Sequence, residues 1–297
     1  MTLKVVVTGH AGFIGANLTN LLLSENYEVI GLDKFKTNNK NIQEYVIDFS
    51  TESIENYLDP ETFVVHLGAI SNDKEAKINP LNTLNINIIG TQKIIESCKK
   101  MKVKKFIFAS SEWVYPETTL AVEQTELDIL TFSNLTSYYA LTKLMSEQFI
   151  KVSELSHYNI LRFGIVYGPR KIPGSSPEDI ARKVKNGESI EVGSSNTARR
   201  FIYIDDLIDG IVKSLKSEIN KEILNLSGNE LLSLRDIAEI CASITGKKLD
   251  FLDLARQPSI RNPVNFKAIE YLNWKPSTRI NVGLEKCILK MEGLNGL

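Results

Sequence analysis

The stretch Leu3–Thr8 (LKVVVT), followed directly by Gly9–Gly15 (GHAGFIG), decides the fold class of this chain. The first part is a nearly continuous apolar run, which predicts a β-strand buried on both faces. The first glycine of the second part allows a tight turn, the second lets the backbone approach a pyrophosphate, and the third lets helix and strand pack closely. We therefore expect a dinucleotide phosphate loop that leads into a helix N-terminus. The residues assigned to this loop are Gly9, Gly12, Phe13, Ile14 and Gly15.

Two acidic residues follow the loop at the ends of predicted strands. Asp33 can accept hydrogen bonds from both hydroxyls of an adenosine ribose and would repel a 2′-phosphate, which favours NAD over NADP. Lys34 and Lys36 temper this preference, because a nearby cation tolerates the extra phosphate. A turn residue at a strand end is the alternative interpretation of Asp33. Asp48 could contact the edge of the adenine or, equally, cap a helix that begins just after it. Its neighbour Phe49 is assigned to the cofactor.

The first half of the chain alternates short β-rich runs with longer helical patterns. Strands are predicted at Leu3–Thr8, Glu28–Asp33, Tyr45–Asp48, Phe63–Leu67, Lys105–Ala109 and Tyr158–Arg162, and the longest helices at about 80–100 and 138–156. This βαβα rhythm predicts an α/β fold, a Rossmann-type doubly wound parallel sheet with helices on both faces. After Pro169 a turn-rich stretch leads into a smaller C-terminal α/β substrate domain. We expect an NAD-binding core at residues 1–168 and a mainly substrate-binding region at 169–297, from which a segment could return to the sheet.

Composition excludes several classes of protein. The 297 residues carry 35 basic and 36 acidic side chains, which argues against a nucleic-acid binder. The cysteines Cys98, Cys241 and Cys287 lie far apart, so no metal site or disulfide framework is predicted, and a reducing cytoplasm is expected. The start of the chain has no signal-peptide pattern, and no apolar stretch reaches the ~20 residues that span a bilayer.

The sequence YALTK places Tyr139 and Lys143 on one face of a predicted helix. A nearby ammonium and a positive nicotinamide ring both favour the phenolate, so we expect a lowered pKa for Tyr139. Tyr139 could then remove a hydroxyl proton while the carbon loses hydride to the cofactor. Ser111, at the end of a predicted strand, could hydrogen-bond the same oxygen. An exposed lysine on an amphipathic helix and an ordinary turn serine are the structural alternatives.

Together these segments resemble the extended short-chain dehydrogenase/reductase family, specifically its NAD-dependent nucleotide-sugar epimerases and dehydratases. The segments that carry the resemblance are TGHAGFIG (8–15), HLGAIS (66–71), NIIGT (87–91), FASSEWVYP (108–116), YALTK (139–143), RFGIVYGPR (162–170), RRFIYIDDL (199–207) and LNWKPS (272–277). The resemblance implies bound NAD, a nucleotide-sugar substrate, and a homodimer joined through two long helices.

The resemblance also assigns residues to the two ligands. Cofactor contacts are implied for Leu67, Gly68, Ala69, Asn87, Tyr139 and Lys143. Substrate contacts are implied for Ser71, Ser111, Glu112, Tyr139 and Arg199. Arg199 would meet the diphosphate of the nucleotide sugar, and its alternative is a surface arginine in a short basic patch. Tyr139, Lys143 and Ser111 are the candidate catalytic residues.

Departures from the family pattern bear on the reaction. Ile165 stands where the family often has Asn, while Arg200 and Pro116 replace the usual Asp and Gly. Ser111 is followed by Glu112 and Trp113, whereas 4,6-dehydratases carry two acids there. Since elimination of water needs an acid and a base around C5 and C6, dehydration is disfavoured.

We therefore predict an NAD-dependent nucleotide-sugar epimerase, acting at C4 through a transient 4-keto sugar. The alternatives are a 4,6-dehydratase or 4-keto-sugar reductase, which Glu112 keeps open, and a non-catalytic NAD-binding protein on the same fold.

Overall fold

A computed structural model describes residues 3–292 of the chain. The strands in it are β1 (Lys4–Thr8), β2 (Glu28–Asp33), β3 (Gln43–Val46), β4 (Phe63–His66), β5 (Lys105–Ser111), β6 (Tyr158–Phe163), β7 (Val166–Tyr167), β8 (Ile190–Val192), β9 (Ala198–Arg199), β10 (Ile202–Tyr203), β11 (Glu222–Leu226), β12 (Leu232–Ser233) and β13 (Phe251–Asp253).

The helices are α1 (Phe13–Ser24), α2 (Asp73–Ile78), α3 (Pro80–Leu84), α4 (Thr91–Met101), α5 (Tyr138–Val152), α6 (Ser176–Asn186), α7 (Ile204–Lys216), α8 (Leu234–Thr245), α9 (Phe266–Leu272) and α10 (Ile280–Glu292). Short 3₁₀ turns follow at Glu55–Tyr57, Glu112–Val114 and Phe132–Asn134.

The central sheet has seven strands in the order β11-β6-β5-β4-β1-β2-β3. The pairs that join β1 to β2, β1 to β4, β2 to β3 and β4 to β5 are parallel. From β3 to β6 this is the 3-2-1-4-5-6 order of dinucleotide-binding sheets, in which ligands bind beyond the carboxyl ends of the strands. The predicted Rossmann-type fold class is therefore confirmed.

The core explains why the central strands are so apolar. Val6, Val64, Phe106 and Ile160 of four neighbouring strands are fully buried in one cluster, and this cluster also takes in side chains of α4 and α5, such as Ile94 and Ile150. Strands covered in this way have little need for polar side chains, so they read as continuous apolar runs.

The long helix predicted for residues 80–100 is divided. α3 and α4 are separated by a π-helical turn, Asn85–Gly90. The side chain of Asn87 within this turn is hydrogen-bonded to the backbone of Ile70, and its carbonyl accepts a hydrogen bond from Ser146 on α5. Such turns are inserted where a helix bends around a functional site, and apolar periodicity alone does not reveal them.

The chain divides into two compact units. The first comprises the chain up to Val114, Ile129–Arg162 and Ile208–Leu224. The second comprises Tyr115–Asp128, Phe163–Leu207 and the chain from Asn225 onward. The sequence segments of the two units therefore interleave along the chain. The seventh strand of the sheet, β11, comes from the part of the sequence beyond residue 169. The assignment of residues 1–168 to NAD binding and of residues 169–297 mainly to substrate binding stays a prediction.

Candidate functional site

The phosphate loop lies between β1 and α1. Gly9 has φ of +72°, and a side chain there would meet the backbone of Gly68 at 2.6 Å, so both conformation and space require glycine. A Cβ at Gly15 would lie 2.2 Å from the carbonyl oxygen of Gly9. Gly12 is the N-cap residue of α1 and makes no side-chain cap hydrogen bond, so no side chain of its own stands between the helix N-terminus and a ligand. The loop therefore has the geometry that a pyrophosphate requires.

Asp33 is held beside this loop at the end of β2. Its carboxylate accepts hydrogen bonds from the backbone N–H of Ala11 at 3.1 Å and of Phe35 at 3.2 Å. Each oxygen keeps a lone pair for a further donor. This position next to the phosphate loop fits the expected ribose contact.

Asp48 is engaged by neighbours of its own. Its carboxylate accepts hydrogen bonds from the backbone and hydroxyl of Ser50, which lower its pKa, and lies 3.2 Å from the ammonium of Lys34. The residues after it form a turn and not the helix that the capping interpretation required. Whether Asp48 also contacts adenine stays a prediction.

The segment after β4 forms the next wall of the site. Leu67 and Gly68 are half-buried, as is Ala69, and the first two donate backbone hydrogen bonds to Thr8 on β1. The ring of Phe49 packs against Gly68, 2.9 Å from where a side chain would begin. These predicted cofactor residues thus border the phosphate loop.

Asn87 serves as a brace in the described structure. Its amide bonds to both the N–H and the carbonyl of Ile70, at 2.8 and 3.0 Å, and donates to the hydroxyl of Thr142 on α5 at 3.0 Å. Asn87 therefore fixes the segment after β4 against the helix that carries Tyr139 and Lys143. Its predicted contact with NAD stays a prediction.

The three candidate catalytic side chains are brought together and buried. Ser111 ends β5, and its side chain lies close enough to the Tyr139 phenol to lower the pKa of that group. The ammonium of Lys143 lies 5.8 Å from the centre of the Tyr139 ring and donates to the carbonyl oxygen of Ala109 at 2.7 Å. Tyr138 is 44% exposed, whereas Tyr139 is 9% exposed, so the tyrosine chosen by the lysine spacing is the one inside the site.

Burial shifts the two titrating groups away from the charged state. It raises the pKa of Tyr139 to about 12, against a lowering contribution from the Ser111 hydrogen bond and a raising one from Glu112. Burial also lowers the pKa of Lys143 to about 7. The expected lowered pKa of Tyr139 is therefore not produced by the protein groups alone. The positive nicotinamide ring is the remaining source of stabilisation for a phenolate.

A buried ion pair beneath the site was missed by the sequence analysis. Arg162 of β6 donates to both oxygens of Glu147 on α5, at 3.0 and 2.8 Å, and the hydroxyl of Ser110 donates to the same carboxylate at 2.5 Å. The two charged side chains are 3% and 0% exposed. Glu147 lies one turn beyond Lys143, and this helical spacing was the only signal in the sequence.

Glu112 and Trp113 form the wall next to Ser111. Glu112 is completely buried and close enough to Tyr139 to raise the pKa of its phenol. The Trp113 ring packs edge-on against that of Tyr139, with 6.1 Å between their centres. Ser71, another predicted substrate residue, is exposed in the segment that leads to α2.

Arg199 belongs to a cluster in the second unit. It is 9% exposed, contrary to a simple surface arginine, and donates to the backbone and hydroxyl of Ser259. Its guanidinium lies 3.5 Å from Glu117, and that of Arg261 lies 3.0 Å from the same carboxylate. Two arginines thus share one carboxylate. Arg261 was not predicted, since it follows no motif used above.

Residues 3–292 contain neither a metal-binding cluster nor a membrane-spanning helix. Those residues hold no group of three or more side chains suited to a metal ion. Over the same range, no helix has the length and apolar character needed to cross a membrane.

The fold and site define a dinucleotide-binding α/β enzyme with a buried Ser-Tyr-Lys set. The family model described as the NAD dependent epimerase/dehydratase family matches residues 5–227. The chain belongs to this family, and its cofactor is NAD, which the phosphate loop and Asp33 fit.

Three related proteins illustrate the similarity. The chain is 30% identical to the uncharacterised UDP-glucose epimerase YtcB of Bacillus subtilis, over 98% of this chain and 99% of that protein. It is 28% identical to the UDP-glucuronate 4-epimerase of Thermodesulfobacterium geofontis, over 95% and 94%. The crystal structure of UDP-glucuronic acid 4-epimerase from Bacillus cereus, in complex with UDP-glucuronic acid and NAD, superposes with a TM-score of 0.87 at 29% identity, over 98% of this chain and 99% of that one.

Proposed function

We propose that this enzyme is a nucleotide-sugar 4-epimerase. The observation that carries the proposal is that Ser111, Tyr139 and Lys143 are buried together, with the Lys143 ammonium 5.8 Å from the centre of the Tyr139 ring. This arrangement lies at the carboxyl end of β5, the edge at which sheets of this order bind their ligands. The 4-epimerase names among the relatives support the same assignment.

The side chains divide the proton chemistry between them. Bound NAD supplies a hydride acceptor that can also return the hydride. Tyr139 takes the proton of the C4 hydroxyl as the C4–H bond breaks, which leaves a 4-keto sugar, and Ser111 donates a hydrogen bond to that oxygen. When the sugar presents its other face, Tyr139 returns the proton as C4 regains hydride. The sugar is therefore neither oxidised nor reduced overall. Lys143 stabilises the phenolate and is assigned to the nicotinamide ribose.

The surroundings of Ser111 favour epimerisation over dehydration. Elimination across C5 and C6 needs an acid and a base. Glu112 could supply one, but the next position is Trp113, whose ring packs on Tyr139 and cannot exchange a proton. A 4,6-dehydratase or 4-keto-sugar reductase is thus the second candidate, supported by Glu112 alone.

The diphosphate of the substrate is assigned to Arg199. The guanidinium groups of Arg199 and Arg261 both lie within ion-pair distance of Glu117, so two permanent positive charges are gathered in one place. Guanidinium groups held in place by neighbours suit phosphate oxygens, because less side-chain freedom is lost on binding. Ser71 and Glu112 are assigned to the sugar.

We also propose that the enzyme is a homodimer in the cytoplasm. Tyr138, Met145 and Val152 recur every seven residues along α5 and are 44%, 40% and 75% exposed, which leaves one apolar stripe on this helix. The neighbouring α3 exposes Leu81 by 73%. A second copy of the chain would cover such a face. The three cysteines are unpaired thiols, which fits a reducing compartment.

Product analysis with a matched pair of variants tests the function. The purified enzyme is incubated with UDP-, GDP-, CDP- and dTDP-hexoses, and NMR should show the 4-epimer of one of them. Tyr139→Phe should lose activity ~10²–10⁴-fold, because it removes the acid–base group. Tyr138→Phe changes the exposed neighbour in the same chemical way and should retain activity. A 4-keto product, solvent deuterium at C5, or full activity of Tyr139→Phe would contradict the proposal.

A further inference from the structure

A buried histidine and glutamate join three segments around the adenosine side of the phosphate loop. His10, the second residue of that loop, is 1% exposed, and its Nε2 donates to the Oε1 of Glu44 on β3 at 3.1 Å. Glu44 stands opposite Gly31 of β2 in the sheet register. A Cβ at Gly31 would lie 2.5 Å from the ring of His10. The ring therefore lies on β2 at the one position where the strand has no side chain.

Glu44 also holds the loop that follows Asp33. Its Oε1 accepts hydrogen bonds from the backbone N–H of Thr37 at 3.1 Å and from the Thr37 hydroxyl. Its Oε2 accepts from the N–H of Asn38 at 3.0 Å. Burial opposes ionisation of Glu44, but these hydrogen bonds and that of His10 outweigh it and lower the pKa of the carboxyl. One carboxylate thus anchors residues 37–38 to residue 10.

These contacts also fix Asp33. Its two oxygens accept from Ala11, next to His10, and from Phe35, two residues before Thr37. The carboxylate is therefore held from both sides by segments that Glu44 ties together. Lys34, which could otherwise approach a 2′-phosphate, is engaged with Asp48 at 3.2 Å.

We propose that His10 and Glu44 are positioning residues that hold residues 34–38 in the shape that selects NAD over NADP. With the loop anchored, Asp33 stays in place for the ribose hydroxyls, and the loop cannot move aside for a 2′-phosphate. Because the loop is already ordered when the protein folds, NAD binding does not have to supply the entropy cost of ordering it. This inference concerns the cofactor and does not depend on the epimerase reaction.

Binding and hydrogen exchange test the proposal without reference to activity. The cofactor-free protein is titrated with NAD and with NADP, loss of NAD from the holoenzyme is timed after dilution, and amide exchange is followed over residues 34–42. Glu44→Ala should speed exchange, weaken NAD binding about tenfold and lower the NAD/NADP affinity ratio by a similar factor, a change of ~1.4 kcal/mol. His10→Ala should act in the same direction but less strongly, since it removes one of four hydrogen bonds.

The controls separate positioning from general damage. Gln43→Ala alters the exposed neighbour of Glu44 on the other face of β3 and should leave exchange and both affinities unchanged. Thr37→Val removes one donor at an exposed position, so it keeps the test open if Glu44→Ala fails to fold, and it should lower the NAD/NADP ratio about twofold to threefold, as a partial loss of the same anchoring. An unchanged NAD/NADP affinity ratio in folded Glu44→Ala would overturn the proposal, as would equal weakening of NAD and NADP binding. If only Thr37→Val folds, an unchanged affinity ratio in that variant would overturn it.

Discussion

Burial acts in opposite directions on the pKa values of Tyr139 and Lys143. It raises the first to about 12 and lowers the second to about 7, so both groups are driven towards their neutral forms. Sequence spacing predicts that these side chains lie together, but their desolvation depends on how Phe108 and the strand ends enclose them. A charged Lys143 therefore lowers the free energy of unfolding of the cofactor-free enzyme.

Replacing Lys143 should stabilise the cofactor-free enzyme in a pH-dependent way. The pKa of Lys143 is lower in the folded state, so the unfolded chain binds more protons between about pH 7 and 10.5, and wild-type stability gains with rising pH in that window. Below pH 7 the full penalty applies, up to ~5 kcal/mol, offset in Lys143→Met by about 1 kcal/mol for the lost hydrogen bond to Ala109. Lys143→Met should thus unfold at higher urea than wild type at pH 6.

The advantage of this variant should shrink by pH 9.5. The pKa of His66 is lowered to about 3, first by burial and then by the charge of Lys143. Burial alone keeps His66 neutral in both folded proteins from pH 6 to pH 9.5, so its own pH dependence drops out of the difference between them. Equal stability differences at pH 6 and pH 9.5 would contradict the assigned cause. The variant should also be inactive, since it lacks the ammonium that stabilises the Tyr139 phenolate.

At the scale of elements, α5 is fastened to the sheet through Glu147. Its carboxylate receives Arg162 from β6 and Ser110 from β5, so one side chain sets the distance of the helix from two strands. Tyr139 lies two turns before Glu147 and Lys143 one turn before it. Their position relative to Ser111 therefore depends on this contact.

Removing one member of the Glu147–Arg162 ion pair should destabilise the protein strongly. Replacing both members by apolar side chains should destabilise it less. Glu147→Ala leaves the Arg162 charge buried and should lower the free energy of unfolding by ~3–5 kcal/mol. The double variant Glu147→Met, Arg162→Met fills the same space without charge and should lose less than the sum of the single changes. Urea titration of Glu147→Ala, of the double variant, and of Glu147→Met and Arg162→Met singly measures these losses. Arg182→Ala, at an exposed ion pair with Glu188, should cost under ~1 kcal/mol and calibrates the comparison.

Sequence patterns predicted the features that depend on neighbouring residues. They did not predict the features that depend on contacts between distant segments of the chain. The runs at β1 and β5, the glycine loop and the Tyr139–Lys143 spacing each follow from neighbouring residues. The π-helical turn around Asn87 does not, and the side chain of Asn87 is hydrogen-bonded to Ile70, which lies in a different segment. Glu147 is bonded to Ser110 and Arg162, and Glu117 contacts Arg261, all from other parts of the chain. The periodicity of apolar residues does not indicate such pairs.

At the scale of the whole molecule, the proposed dimer depends on the apolar stripe of α5. Val152→Glu places a charge at the end of the stripe, where 75% of the valine is exposed, so it should not disturb folding of the single chain. If a second copy covers this face, the variant should shift from dimer to monomer, since an unpaired buried charge costs several kcal/mol. Light scattering after size-exclusion chromatography measures the mass. Lys151→Glu is the adjacent control and should leave the mass unchanged.

The interleaving of the two units has a consequence for synthesis on the ribosome. β6 lies between β5 and β11 in the finished sheet, yet about sixty residues separate the end of β6 from β11 along the chain. Until β11 has left the exit tunnel, the border strand β6 of the nascent N-terminal part is unpaired on one side, although the finished fold buries it along its whole length. An unpaired strand edge of this kind recruits chaperones or aggregates. Translation pauses between these two strands should therefore be more harmful to yield than pauses after the last one.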